Sequence, residues 1–217
     1  VQGDISAGGQ LAMRMLNRRT VLVPNFPELC ITEDPAADIA GKVWDGGLML
    51  VQFLVLERLE MVRDKRVVEL GSGTGLVGIA CALAGAHVTV TDMPGATRHL
   101  EYNAHLNRPM ILSSGGEISV QEYLWGTTTA QLEDCEVVVM SDVVYEPPSY
   151  QPLLDSLVSL CKGSTIALMA HRSRHPDEGQ FFSAAESRLA MRQVTPELPG
   201  PYNCPDVKLF EIKEKSF

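Results

Sequence analysis

The sequence lacks the cysteine and histidine patterns that build disulfide frameworks or metal sites. Its five cysteines are widely separated and form no Cys-x-x-Cys pair, and an odd number of isolated thiols indicates reduced side chains. The five histidines show no ligand spacing either. His171 and His175 are four residues apart, but Pro176 disfavours a helix that would bring them onto one face. The sequence therefore predicts no metal site.

Positive charge and long apolar runs are also scarce. The 18 lysines and arginines against 27 acidic residues give a formal net charge of −9, which offers no overall attraction for a nucleic-acid backbone or an anionic membrane. The longest apolar stretch, residues 46–56, is too short to span a bilayer. Residues 1–10 contain neither the basic nor the apolar region of a secretory signal. We therefore expect a cytoplasmic or nuclear monomer that binds neither nucleic acid nor membranes.

Short β-rich segments alternate with helical segments from residue 66 onward. The patterns predict strands at 66–70, 87–92, 117–123, 136–140, 164–170, 191–196 and 207–213, and helices at 44–61, 75–85, 95–107, 149–162 and 177–190. This alternation is typical of an α/β fold with a mostly parallel sheet and helices on both faces. The short link between the last two strands predicts an antiparallel hairpin at the sheet edge.

The 217 residues are interpreted as one domain. Residues 1–43 form a small N-terminal β/α appendage, with candidate strands at 20–24 and 28–32, and residues 44–217 form the core.

A glycine-rich segment, VVELGSGTGLVG, places Gly71, Gly73 and Gly75 between a predicted strand and a predicted helix. Glycine lets the backbone turn sharply and approach a ligand closely, and a helix N-terminus offers free N–H groups. In an open α/β sheet, ligands bind at the carboxyl ends of the strands. Asp92 ends the next strand, where an acid can accept the hydroxyls of a ribose. The segment therefore predicts a site for a nucleotide-like cofactor.

Two cofactors fit this loop. Residues 73–78 satisfy the Gly-x-Gly-x-x-Gly pattern of NAD sites, so a hydride-transfer enzyme stays open. Glu69 favours S-adenosylmethionine instead, because a carboxylate there faces a pyrophosphate badly but suits a cationic sulfonium that carries an amino group. Trp44 and Trp125, each flanked by polar or small residues, are candidates for stacking on an adenine or contacting a sulfonium; packing in the core is the alternative.

An apolar run at 137–140 ends abruptly at Ser141 and Asp142, and Tyr145 follows three residues later. Such a strand end has two interpretations. Either the carboxylate caps the strand and the tyrosine packs in the core, or both side chains lie at the edge of an active site. The residues alone leave both interpretations open.

Several segments occur in order and at close spacing: KVWDGGLMLVQFL, the glycine-rich segment continued to TVTD, YNAHLN, YLWG and SDVVYEPPSYQPLLDSL. Over residues 40–175 the chain resembles the seven-β-strand protein-lysine methyltransferases of methyltransferase family 16. Within that family it is most similar to the subgroup that methylates Hsp70-type chaperones, an AAA ATPase and elongation factors. The resemblance implies a Rossmann-like class I methyltransferase fold, S-adenosylmethionine as methyl donor, S-adenosylhomocysteine as product, and a protein lysine as acceptor.

The resemblance also implies which residues act. Asp142 and Tyr145 form the family's Asp-x-x-Tyr motif; we expect the first to orient the acceptor amine and the second to wall the lysine channel. Ser141 stands where the family favours alanine and would line the cofactor. The full set of expected cofactor contacts is Trp44, Glu69, Gly71, Ser72, Gly73, Gly75, Asp92, Trp125 and Ser141.

Alternatives to this function remain at the level of sequence. One is a methyltransferase for a small molecule or a nucleobase. Methyltransferases that act on adenine N6 have a motif similar to Asn/Asp-Pro-Pro-Tyr at this position, and DVVY lacks its prolines, which disfavours a nucleobase. The others are an NAD-dependent oxidoreductase and a binding module without activity. Arg172 and Arg174 follow the predicted strand at 164–170, and they are interpreted either as contacts for an acidic substrate surface or as part of a solvated loop.

Overall fold

The fold is described from a computed structural model, which covers residues 16–37, 39–127, 132–198 and 204–215. The strands are β1 (Asn17–Val21), β2 (Leu29–Glu33), β3 (Arg66–Leu70), β4 (His87–Asp92), β5 (Glu117–Glu122), β6 (Val137–Ser141), β7 (Ile166–Arg172), β8 (Leu189–Val194) and β9 (Val207–Glu214). The α-helices are α1 (Asp45–Glu57), α2 (Leu59–Val62), α3 (Leu76–Leu83), α4 (Thr97–Ser113), α5 (Tyr150–Leu160) and α6 (Glu178–Arg188).

The main sheet has seven strands in the order β5-β4-β3-β6-β7-β9-β8. The pairs β3–β4, β4–β5, β3–β6 and β6–β7 are parallel, whereas β9 is antiparallel to both β7 and β8. This is the Rossmann-like class I methyltransferase arrangement, and it confirms the predicted mostly parallel sheet and its antiparallel edge hairpin.

The order of the strands fixes the place of a ligand site. The chain runs outward from β3 through β4 to β5 and then returns to β6 on the other side of β3. Such a reversal opens a crevice at the carboxyl ends of the two central strands. Here those ends lead into the glycine loop after β3 and into Ser141 and Asp142 after β6.

The central strands form because their residues suit a sheet covered on both faces. All residues of β3 after Arg66 are buried, as are Val137 to Met140 of β6. Near-continuous apolar runs of this kind are expected where helices cover both faces of a parallel sheet. One hydrophobic cluster lies on each side, the first around α1, α3 and α4 and the second around α5 and α6.

Two helix boundaries differ from the prediction. The helix expected at 44–61 is divided into α1 and α2, because Arg58 leaves the helical region with φ −136° and ψ 26°. The helix expected at 95–107 begins at Thr97 and continues through Pro109 to Ser113. Proline at 109 cannot donate a hydrogen bond to the carbonyl of His105. Both residues are exposed, so solvent can satisfy that carbonyl.

The N-terminal segment forms an antiparallel hairpin of β1 and β2. Its second strand lies within one residue of the predicted position, but the first lies three residues earlier than the expected 20–24. Only Val21 of β1 is buried, so the hydrophobic pattern of this strand is too weak to define its register. Val21, Leu29 and Ile31 belong to the same hydrophobic cluster as α1, α3 and α4.

Two asparagines of α4 attach the hairpin to the core through the backbone of β2. The amide of Asn103 accepts a hydrogen bond from the Thr32 N–H (2.9 Å) and donates one to the Thr32 carbonyl (3.0 Å). Asn107 does the same for Cys30, at 3.1 and 2.8 Å. Both asparagines are buried. The two amides therefore take the place of a neighbouring strand along β2.

No helix within the described ranges combines the length and the apolar character needed to cross a membrane.

Candidate active site

A large cavity opens where the crevice was expected, at the carboxyl ends of β3, β4 and β6. Its volume is about 1270 Å³, above the 300–1,000 Å³ usual for a small-molecule site. The glycine loop from Gly71 to Thr74, Asp92, the segment from Ser141 to Val143, and Tyr145 line it. The cavity therefore has room for a nucleotide-sized cofactor together with part of a second substrate.

The glycine loop turns through backbone conformations that favour glycine. Gly71, Gly73 and Gly75 have φ values of +64°, +53° and +81°. A Cβ atom at position 71 would lie 2.9 Å from Cζ2 of Trp125 and from a methyl of Val143. Position 71 therefore requires a glycine, both for its positive φ and for the close approach of the Trp125 indole.

Gly75 has a different task from the one expected. It does not line the cavity, and a Cβ there would lie 2.6 Å from a methyl of Leu100 on α4. The glycine allows α3 and α4 to pack closely at the end of the loop. Its predicted contact with the cofactor is not supported by this position.

The loop is fastened to the end of β4 by hydrogen bonds. The Ser72 N–H donates to the Thr91 carbonyl (2.9 Å), and the Ser72 hydroxyl accepts from the Thr91 N–H (3.0 Å). The two carboxylate oxygens of Asp92 accept from the N–H groups of Gly73 (2.7 Å) and Met93 (2.8 Å). Burial raises the pKa of Asp92, and these two bonds oppose the rise. Asp92 therefore shapes the loop while its remaining lone pairs stay available to a ligand.

Asp92 does not cap the helix that follows it. Helix α4 begins at Thr97, and its N-cap residue is Ala96. The carboxylate of Asp92 is instead directed to the loop backbone.

Glu69 lies at the floor of the cavity with its side chain almost fully buried. Its Oε2 accepts a hydrogen bond from the N–H of Gly78, in the first turn of α3, at 2.9 Å. Burial raises the pKa of Glu69 to about 8, against the opposing effect of this hydrogen bond. The carboxyl therefore carries a proton over much of the neutral range, and it fixes α3 onto the sheet.

The two tryptophans make different contacts. Trp125 is half-buried and presses the edge of its indole against Gly71. Trp44 is the N-cap residue of α1, and its indole N–H donates to the Ile39 carbonyl at 3.0 Å. Both line the cavity. The face of Trp44 is also covered by Arg174, whose guanidinium carbon lies 4.6 Å from the ring centroid.

Asp142 has the left-handed backbone φ of +53° and a buried side chain. Its Oδ2 accepts from the N–H of Gly46 in the first turn of α1 (2.9 Å), and its Oδ1 accepts from the N–H of Arg172 at the end of β7 (3.1 Å). The Arg174 guanidinium lies 3.5 Å from Oδ2. Asp142 therefore joins three distant segments, and its backbone conformation is one that asparagine and aspartate tolerate better than most residues.

Tyr145 and Ser141 complete this side of the cavity. Tyr145 is half-buried, and burial, together with the negative charges of Asp92 and Glu146, raises the pKa of its phenol. The tyrosine is therefore a neutral hydroxyl at physiological pH. The Ser141 hydroxyl lies beside α1, 3.3 Å from the position that a Cβ would take at Gly47.

The structure thus brings the expected site residues to one cavity, with the exception of Gly75. Sequence reasoning missed Asn103, which donates to the Thr74 carbonyl (2.9 Å) and so links the glycine loop to β2. The signal was the spacing of Asn103 and Asn107 in YNAHLN, which puts both amides on one face of a helix. No three His, Cys, Asp or Glu side chains in the described part of the chain come together as a metal site.

The cavity also fits S-adenosylmethionine better than a dinucleotide. Its wall carries the acids Asp92 and Asp142, which suit a cationic sulfonium and its amino group, whereas Glu69, whose pKa burial raises to about 8, adds no full charge there. A pyrophosphate would meet these carboxyl groups at the floor of the site. The chemistry of the donor set therefore favours the sulfonium cofactor.

Comparison with known proteins identifies relatives. The family model described as "Lysine methyltransferase" matches residues 24–188. Protein N-lysine methyltransferase METTL21A of Danio rerio is 34% identical over 158 residues, which cover 72% of this chain and 71% of the relative. EEF1A lysine methyltransferase 3 of Mus musculus is 35% identical over 158 residues, covering 71% of this chain and 66% of the relative.

Solved structures share the fold at low sequence identity. The glycopeptide N-methyltransferase MtfA, complexed with sinefungin, has a TM-score of 0.59 and 12% identity, and the match covers 79% of this chain and 95% of that one. A TehB-like SAM-dependent methyltransferase from Corynebacterium glutamicum has a TM-score of 0.56 and 14% identity, covering 83% and 91%.

Proposed function

The chain belongs to the lysine methyltransferase family, and from this membership we propose that it methylates a lysine of a chaperone, an AAA ATPase or an elongation factor. It is an S-adenosylmethionine-dependent protein-lysine methyltransferase with a protein substrate. The interpretations as an NAD-dependent oxidoreductase or as an inactive binding module are therefore set aside. We further propose that it acts as a monomer in the cytoplasm or nucleus, without nucleic-acid or membrane partners, in keeping with its net charge of −9.

One observation supports the assignment of the site most strongly: the glycine loop and the Asp-x-x-Tyr motif line a single cavity. A methyltransferase needs its donor and its acceptor side by side, because the reacting atoms must approach in line. The loop side supplies the expected contacts for the cofactor, namely Trp44, Glu69, Gly71, Ser72, Gly73, Asp92, Trp125 and Ser141. The motif side supplies Asp142 and Tyr145 for the acceptor.

The chemistry defines what the acceptor side must do. When bound, S-adenosylmethionine would supply a methyl carbon on a sulfonium and leave as the neutral thioether of S-adenosylhomocysteine. The acceptor ammonium must first lose a proton to water, so that its nitrogen can bond to that carbon. Its lone pair must be free, although a lysine amine has an ordinary pKa of about 10.4 and is almost entirely protonated at pH 7. The site must therefore align, dehydrate and deprotonate the amine.

Asp142 is suited to orient the amine but not to act as a strong base. Two backbone N–H groups already occupy its oxygens at 2.9 and 3.1 Å, which fix the carboxylate in place and leave lone pairs for one further donor. Tyr145 remains a neutral phenol because burial raises its pKa. We propose that its ring walls the lysine channel and that its hydroxyl adds a polar contact to the amine.

The names of the relatives support a protein lysine as acceptor and, among the proposed substrates, the elongation factor. One is named an EEF1A lysine methyltransferase and another a protein N-lysine methyltransferase. The cavity volume of about 1270 Å³ leaves room for an extended lysine side chain beside the cofactor. A folded protein can present such a side chain from its surface.

The test uses tritiated S-adenosylmethionine with a purified Hsp70-type chaperone, an AAA ATPase and an elongation factor 1A. The enzymes are the wild type, Asp142→Asn and Tyr145→Phe, with the exposed Asp155→Asn on α5 as the matched control. Asparagine tolerates the left-handed φ of position 142, so this variant removes the charge without straining the backbone there, although its NH2 group replaces one of the two oxygens that accept the N–H groups of Gly46 and Arg172. We expect one of the proteins to be labelled, Asp142→Asn to lose on the order of a hundredfold in rate, and Tyr145→Phe to lose less.

Isothermal titration with S-adenosylhomocysteine separates chemistry from cofactor binding. Each variant should retain its affinity within about threefold, because neither Asp142 nor Tyr145 is assigned to the cofactor. Equal labelling by both variants and the wild type would remove them from the acceptor site. If none of the three candidates is labelled but the enzyme labels another protein in a cell lysate, the substrate class is rejected and the enzyme assignment stays intact.

A further inference from the structure

The loop after β7 places the cationic side chain of Arg174 beside the carboxylate of Asp142 in the proposed acceptor site. The Arg174 guanidinium lies 3.5 Å from Oδ2 of Asp142, and the side chains are 27% and 3% exposed. The same guanidinium covers the face of Trp44. The Arg174 backbone N–H donates to Glu178 at the start of α6 (3.1 Å), which fastens the loop. Arg174 is therefore held in the wall of the site by contacts with three other segments.

Arg172 shows that this placement is not a general property of the loop. Its guanidinium pairs with Asp45 and, at 3.5 Å, with Asp206, so its charge is directed to the outer side of α1. Only its backbone N–H reaches Asp142. Of these two arginines, Arg174 alone places its charge against the acceptor carboxylate.

The charge of Arg174 bears on the main difficulty of the reaction. A carboxylate beside an amine favours the protonated ammonium, which cannot attack a methyl carbon. We propose that Arg174 is a positioning residue of the acceptor site: its guanidinium neutralises Asp142, so that the carboxylate orients the lysine without holding it as the unreactive ammonium. This inference rests on the proposed location of the acceptor beside Asp142.

The elements that carry or adjoin the pair contain other charged and titratable groups. Helix α1 contributes Asp45, the segment after β6 contributes Tyr145 and Glu146, and the end of β7 contributes His171 and Arg172. The start of α6 adds His175, Asp177 and Glu178, and the residues before β9 add Asp206.

His171 and Tyr145 have pKa values that are shifted away from the range between pH 7 and 10. Glu69 on the cavity floor, with a pKa of about 8, titrates within this range, and it does so in every variant at position 174. Burial lowers the pKa of His171 below its usual range, so its imidazole is neutral throughout. Burial and the charges of Asp92 and Glu146 raise the pKa of Tyr145. All the neighbours are also present in every variant at position 174, so a difference between these variants reports the charge at that position.

The test measures the single-turnover methylation rate against pH, with saturating protein substrate and S-adenosylmethionine. This rate reports ionisations in the bound complex. The acid limb of the pH–rate profile is the range in which the rate rises with pH as the bound lysine loses its proton. In Arg174→Gln this limb should move to higher pH by about one unit, the effect expected of a charge within a few ångströms. The rate at pH 7.5 should fall about tenfold and recover near pH 10. Arg174→Lys retains a cation over Trp44 and should keep the limb within about 0.3 units of the wild type.

A double variant distinguishes neutralisation from simple support of the loop. Asp142→Asn alone leaves the Arg174 charge unopposed and should move the limb to lower pH, with a reduced maximal rate. Adding Arg174→Gln to Asp142→Asn removes both charges and should return the limb toward the wild-type position. A residue that only supports the loop would lower the rates without these opposite shifts.

The matched control is Arg188→Gln, since Arg188 pairs with the exposed Asp155 away from the cavity (2.7 Å). It should leave the pH profile unchanged. An Arg174→Gln profile with the wild-type limb, whatever its maximal rate, would overturn the inference. Wild-type enzyme that methylates no protein at any pH would instead overturn the proposed substrate, so the two failures are distinguishable.

Discussion

Gly78 on α3 offers a sharp test of the packing beneath the cofactor loop. A Cβ at this position would lie 2.2 Å from a methyl of Val90 and 2.6 Å from Oε2 of Glu69. Both neighbours are almost fully buried on β4 and β3, and Glu69 also accepts the Gly78 N–H. Gly78→Ala must therefore push the helix away from the sheet.

The expected magnitude follows from opposing effects. Forcing an extra methyl into a filled core costs about 1–3 kcal/mol, and stretching the buried bond to Glu69 adds about 1 kcal/mol. Alanine regains up to about 1 kcal/mol through its helix propensity. The free energy of unfolding should therefore fall by about 2 kcal/mol, which lowers the melting temperature by roughly 4–8 °C in a chain of this size.

The assay is urea unfolding followed by circular dichroism, with Gly179→Ala as the matched control. Gly179 lies in α6 with no atom within 4 Å of its Cβ position, so the same substitution there should stabilise by up to about 1 kcal/mol. Val90→Ala in the Gly78→Ala background removes the obstructing methyl groups and should reveal a favourable coupling of about 1–2 kcal/mol. A Gly78→Ala protein as stable as the wild type would refute the close approach of α3 to the sheet.

Other measurements address the remaining contacts. Burial raises the pKa of Glu69 in the folded protein to about 8, above its value near 4.5 in the unfolded chain. The free energy of unfolding should therefore fall as pH rises between these two values, and Glu69→Gln should become more stable relative to the wild type by up to about 5 kcal/mol over this range. Equal differences in unfolding free energy between variant and wild type at pH 5.5 and 8.5 would contradict this prediction. Asn107→Ala should cost about 2–4 kcal/mol, because it leaves the part-buried N–H and carbonyl of Cys30 unpaired. The exposed His105→Ala on the same helix should change little, and hydrogen exchange at Cys30 reads the local effect. Asp92→Ala should weaken S-adenosylhomocysteine binding at least about tenfold by titration calorimetry, since it releases the Gly73 N–H and removes the proposed ribose acceptor; an unchanged affinity would remove Asp92 from the cofactor site.

The main sheet could be predicted because its signals are local and strong. The buried runs of β3 and β6 need only their own residues to be recognised. Glycines at 71 and 73 interrupt the pattern where the backbone takes positive φ values, so the loop is visible in the sequence. Strand β1 was misplaced because most of its residues are exposed, and an exposed strand has no apolar alternation to set its position.

The attachment of the N-terminal hairpin was not predictable from hydrophobic patterns. Asn103 and Asn107 are polar residues four apart, a spacing that also occurs on any solvated helix face. Their burial depends on β2, which lies about 70 residues earlier in the chain. Because Asn103 also binds the Thr74 carbonyl, we propose that the appendage and the cofactor core fold as one unit.

The proposed acceptor site shows the same limit more clearly, because its parts come from distant segments. The sequence identifies Asp142 as a carboxylate at a strand end, and Arg174 as one of two arginines after another strand. Only the parallel pairing of β6 with β7 and the docking of α1 bring Asp142 to the N–H of Gly46 and to Arg174. A carboxylate fixed by two N–H groups and faced by a guanidinium has a single geometry and little net charge. This arrangement suits a site that must hold a lysine side chain in line and still release its proton.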